Sequence, residues 1–153
     1  MKFIYSLLLT VITLQVSAQN PEEKAIKATI DQFFNGMRMA DSGMIAATIS
    51  STAVFQTIVP LKDGTVEVRS EAVADFLQSV GKPHKELYDE QIQYGAIHID
   101  ATLASVWTPY KFYLGKTFSH CGVNSFQLVK INNIWKIQYI IDTRRKDACV
   151  AGN

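Results

Sequence analysis

The chain has 153 residues, of which 48% are hydrophobic and 19% charged, and its formal net charge is +1. This is one domain's worth of ordinary globular sequence, which excludes a disordered chain. The near balance of charge gives no footprint for nucleic acid or an anionic membrane as partner.

Met1-Lys2 makes a positive start, Phe3 to Val16 is mostly apolar, and Val16-Ser17-Ala18 is a small-residue cleavage site. That pattern reads as a secretory signal peptide over residues 1–18, leaving 19–153 as a single domain, secreted or periplasmic. Asn20-Pro21-Glu22-Glu23 opens a helix with a capping side chain, a proline in the first turn and acids against the dipole. Ile26, Ile30, Phe33, Phe34 and Met37 then recur at helical spacing. Asp41-Ser42-Gly43 interrupts the pattern and caps a short second helix, expected over Met44 to Ile49.

Val54 to Val59 and Thr65 to Val68 read as a small hairpin turning at Lys62-Asp63-Gly64. Ser70 is the expected cap of a third helix carrying Val73, Phe76, Leu77 and Val80, stopped by Gly81-Lys82-Pro83. One strand is expected from Glu90 to Ile99. Three long strands follow, LASVWTPYKFYL, FSHCGVNSFQLVKI and IWKIQYIID, joined by two-residue turns at Gly115-Lys116 and Asn132-Asn133. The order predicts an α+β domain with helices on one side of a mostly antiparallel sheet.

If both turns keep a simple register, Leu128 faces Ile137, Phe126 faces Tyr139, Trp107 faces Asn124 and Lys111 faces His120. The apolar edge Trp135, Ile137, Tyr139 and Ile141 marks the buried face. His120, Asn124, Trp107, Phe126 and Tyr139 then converge under the first helix and its Phe33 and Phe34, with Lys111 at the mouth. Val106, Tyr110, Phe112 and Leu114 point to the opposite face, which is too apolar for solvent. A second copy of the chain, the C-terminal tail or the small hairpin could cover it.

His120 has two readings: general base or ligand hydrogen-bonder in an apolar cavity, or a histidine satisfied by a neighbour such as Asn124. Trp107, Phe126 and Tyr139 suit a core as well as a ligand platform. His84 and His98 stand alone and neither cysteine lies in a CxxC pair, so neither metal nor cofactor is expected. Cys121 and Cys149 are a disulfide or two free thiols; the oxidising compartment allows the bond.

The first helix, the Asp41-Ser42 start of the second, the hairpin, and SVWTPYKFYLGKTFSHCGVNSFQLVK with WKIQYIIDTRR resemble the SnoaL-like branch of the nuclear transport factor 2-like (NTF2-like) superfamily. More narrowly they resemble its secreted bacterial group labelled lumazine-binding. The resemblance implies a cone-shaped barrel with a strongly curved sheet, a cavity between the first helix and that sheet, and homodimers through the outer face. It implies little about activity. Ketosteroid isomerases of the superfamily use a Tyr in the first helix, where this chain has Phe33 and Phe34. Scytalone dehydratases use a His pair with Asp and Tyr, and only His120 has an inward position. The Asp-Arg-Asp set of limonene epoxide hydrolases is not assembled by these pairings. Two functions stand: binding of a small apolar or aromatic molecule, or cofactor-independent lyase, isomerase or cyclase chemistry with His120 as base.

Overall fold

The structure, a computed structural model, describes residues 20–149; the expected signal peptide lies outside them. Helix α1 (Pro21–Met39) starts where Asn20 Oδ1 accepts from the Glu22 amide at 3.0 Å, satisfying one free N–H of the first turn. Its stripe of Ile26, Ile30, Phe33, Phe34 and Met37 is buried, as the spacing predicts. Helix α2 is Ser42–Ala46, shorter than expected, with Asp41 Oδ1 accepting from the Met44 amide at 2.8 Å.

The strands are β1 (Ile49–Pro60), β2 (Val66–Glu71), β3 (Tyr88–Ile92), β4 (Ile97–Asp100), β5 (Leu103–Leu114), β6 (Thr117–Ile131) and β7 (Ile134–Arg145), with helix α3 (Val73–Val80) between β2 and β3. They form one sheet in the order β2-β1-β7-β6-β5-β3, with β4 on β5. All pairs are antiparallel except β1 with β7. The path ends at β2 and β3, so the sheet is open and the expected closed, strongly curved barrel is not formed. Ser70 lies in β2 and accepts from Gln56, leaving α3 to start at Ala72 without a side-chain cap. The single strand expected from Glu90 to Ile99 is broken around Gly95, whose amide donates to the Trp107 carbonyl. A Cβ on Gly95 would stand 2.9 Å from that oxygen, so only glycine fits the kink.

Both two-residue turns form, pairing Leu114 with Thr117 and Ile131 with Ile134, with Gly115, Asn132 and Asn133 at φ of 58°, 50° and 64°. The register then slips by one residue at a β-bulge in each hairpin, between Phe112 and Tyr113 of β5 opposite Ser119, and at Gln138 of β7. Beyond the bulges Trp107 pairs with Ser125, Thr108 with Asn124, Phe126 with Ile140 and Asn124 with Asp142. Because side chains alternate, one extra residue exchanges the faces of everything beyond it. Val106, Tyr110 and Phe112 therefore point toward the helices, and the row expected to form a dimer face belongs to the interior. Cys121, on the outer side of β6, is bonded to Cys149, with Cα atoms 5.7 Å apart.

Candidate functional site

Between α1, α3 and the inner face of the sheet lies a cavity of about 310 Å³. One wall is aromatic. Phe33 stacks on Phe76 with centroids 5.8 Å apart, and Phe55 meets both rings edge-on. Phe34 meets Phe33 and Phe126 edge-on in turn. The helical spacing of α1 presents Phe33 and Phe34 here, and the alternation of β6 presents Phe126.

The rest of the lining is more polar and includes residues that the bulges turn inward. Asp142 accepts from Thr57 Oγ1 at 2.5 Å, Tyr110 Oη at 3.1 Å and Arg144 Nε at 2.8 Å. Tyr110 reaches this point by lying over Gly122, where a Cβ would stand 2.8 Å from its ring and 1.7 Å from the Thr143 carbonyl oxygen. Glu90, on the inner side of β3, accepts from Asn124 Nδ2 at 2.7 Å. Burial pushes the Glu90 carboxyl up to about 7, against the lowering hydrogen bond of Asn124 and with help from the charge of Asp142.

His120 lines the same cavity, its ring 5.0 Å from Phe112 and 5.7 Å from Tyr110. Its Nδ1 shares a hydrogen bond with Ser119 Oγ at 3.1 Å. Burial first, then the charge of Arg144, hold the imidazole below its ordinary pKa, with Asp142 pulling the other way. His120 is thus neutral near pH 7.

Of the residues read from sequence, His120, Asn124, Phe126, Phe33 and Phe34 line the cavity. Trp107, Lys111 and Tyr139 do not. Trp107 is on the outer face and 51% exposed, Lys111 is exposed on the same face, and Tyr139 donates to Gln56 Oε1 at 2.6 Å. Glu90, Asp142 and Arg144 also line the cavity without any expectation from sequence, and Tyr110 lines it although its row is expected on the opposite face. Alternation in β5 held the missing signal: Ser105, Pro109 and Lys111 share one parity, Val106, Tyr110 and Phe112 the other. No group of His, Cys, Asp and Glu able to hold a metal occurs among the described residues.

No family model matches the chain, and no curated protein matches it. Solved structures do. An NTF2-like protein of unknown function from Shewanella baltica OS155 aligns with TM-score 0.65 at 17% identity, covering 89% of this chain and 100% of that one. A domain of unknown function with a cystatin-like fold from Nostoc punctiforme PCC 73102 aligns with TM-score 0.64 at 20% identity, covering 86% and 82%. A ketosteroid isomerase-like protein from Erwinia carotovora atroseptica SCRI1043 aligns with TM-score 0.60 at 13% identity, covering 84% and 99%. The chain therefore has the NTF2-like, cystatin-like fold. At these identities the likeness is one of fold.

Proposed function

We propose that the protein binds a small, largely apolar molecule in the cavity between α1 and the sheet. One observation carries this: the wall of Phe33, Phe55, Phe76 and Phe126 shares one cavity with the polar groups of Glu90, Asn124, Asp142, Arg144, Tyr110 and His120. Apolar walls that supply affinity and a few convergent polar groups that orient are the composition of a ligand site. Nile red, a neutral dye that brightens out of water, tests the reading. It should bind the wild type and fail to bind Ser79→Trp, which plugs the exposed rim from α3. Equal binding by both proteins would refute it.

A second reading, cofactor-independent proton transfer, is favoured by Glu90, whose carboxyl near 7 suits a general base. His120, paired with Ser119, has no acid to orient it. The catalytic role expected of His120 passes in this reading to Glu90, and Asp142 with Arg144 supplies the acid–arginine pair that the sequence pairings left out. Deuterium exchange into a bound carbon acid, lost in Glu90→Gln, is its test.

The compartment and the partner belong to the same proposal. The Cys121–Cys149 bond fits a secreted or periplasmic protein. The outer sheet face, with Trp107, Val68 and Val54 exposed, fits packing against a second copy. The lumazine-binding group remains the relatives proposed from the strand sequences quoted above; no residue of the cavity selects a pteridine.

A further inference from the structure

We infer that the cavity takes an organic cation, a small amine or quaternary ammonium carried on an apolar and preferably aromatic body. This rests on the reading of the cavity as a ligand site and adds the sign of the ligand's charge. The charges around Glu90 set that sign. Arg144 is already matched: its Nε donates to Asp142 at 2.8 Å and its second nitrogen to Thr57 at 3.2 Å. Arg38 of α1 is matched too, with Nε on Asp89 Oδ1 at 2.6 Å and a second nitrogen on the backbone carbonyl of Glu90. The carboxyl of Glu90 receives only the neutral amide of Asn124 and forms no ion pair among the described residues.

The surroundings of that carboxyl are aromatic. Phe112 is its cross-strand partner on β5, Tyr110 lies two residues along, and Tyr88 meets Phe112 edge-on with centroids 5.8 Å apart. A carboxylate bordered by aromatic rings suits an ammonium, which gains from the charge and from any ring face it meets. An anion would meet Glu90 and Asp142 together. A neutral ligand would leave the ionised Glu90 without a counter-charge. Without a ligand, a proton neutralises Glu90 near pH 7, and a cation would displace that proton.

Glu90 is faced by Asn124 and His120 from β6, Asp142 and Arg144 from β7, Tyr110 from β5 and Arg38 from α1. His120, neutral near pH 7, brings no competing charge there.

Calorimetric titration at pH 8 with 2-phenylethylamine, 2-phenylethanol and phenylacetate tests the inference. The amine should bind about tenfold or more tighter than the alcohol, with phenylacetate weakest. At pH 7 the amine should release a fraction of a proton, up to about half, seen as a buffer-dependent heat. Glu90→Gln should bring amine and alcohol to equal affinity. Alcohol or phenylacetate binding as tightly as the amine would overturn the charge assignment and leave the cavity reading standing. Binding of none of the three would also overturn it, and the Nile red comparison then decides separately whether the cavity binds at all.

Discussion

Asn124 Nδ2 donates to Glu90 Oε1 at 2.7 Å, joining the middle of the sheet to its edge strand inside the cavity. The donor favours the ionised carboxyl, yet burial outweighs it, and the carboxyl titrates at about 7 instead of 4.5. Between those two pH values the folded protein holds a proton that the unfolded chain has released. Stability therefore falls as pH rises from 4.5 to 7, by up to about 3 kcal/mol from this group. Glu90→Gln keeps the shape and the contact with Asn124 but removes the titration. Chemical denaturation should show the variant gaining on the wild type from pH 5 to pH 8. Parallel curves across that range would contradict the account.

Gly122 and Tyr110 give a second prediction, about the geometry that supports Asp142. A methyl group at position 122 collides with the Thr143 carbonyl and with the Tyr110 ring. Gly122→Ala should cost about 3 kcal/mol or more, because the backbone of β7 cannot yield. Tyr110→Phe removes only the hydroxyl, which donates to Asp142 and Thr143. It should cost about 1–2 kcal/mol, since Thr57 and Arg144 still serve Asp142. If the two variants lose equal stability, the close packing at Gly122 is not what holds the tyrosine.

A third prediction concerns the covalent link. Cys121 and Cys149 close a loop with a sequence separation of 28, so their bond removes freedom mainly from the unfolded chain. Reduction, or Cys149→Ser, should lower stability by about 2–4 kcal/mol. The cavity faces the other side of the sheet, so the Nile red signal should survive in the folded variant. A melting temperature unaffected by reductant would show that the thiols are free in solution.

The turns were legible and the bulges were not. Gly115 and the Asn132-Asn133 pair announce positive φ, and they close the hairpins where expected. Ser119 and Gln138 announce nothing: neither is Gly or Pro, and a bulge needs no special side chain when the extra residue keeps an ordinary backbone. Each shifts its hairpin by one residue, which is enough to exchange inside for outside. That is why Asn124 and Phe126 stayed inside while Trp107 and Tyr139 moved out. It is also why the acids of the cavity went unseen, Asp142 arriving through the bulge at Gln138. The helix stripe had no such weakness, because α1 has no interruption between Ile26 and Met37.

The outer face yields the last prediction. The row first expected there, from Val106 to Leu114, points inward, but its replacement is also apolar. Trp107 shares one row with Ser125, Ile141 and Gln56, and Val68 shares the next with Ile58, Thr143, Val123 and Pro109. Trp107 and Val68 are each 51% exposed, while Val123 is 7% exposed, on the same side as the disulfide-linked Cys121. The tail therefore accompanies one end of this face, and the exposed apolar side chains stand to either side of the central strands, Trp107 on β5 and Val54 and Val68 on β1 and β2. Sheet-on-sheet packing about a two-fold axis would cover them and remove the exposed indole from water. Sedimentation should give a dimer for the wild type and a soluble monomer for the double variant Trp107→Lys, Val68→Lys. Both side chains lie outside the core, so the monomer should keep its cavity and its Nile red signal. A wild type that sediments as a monomer would show that the bare face needs no second copy.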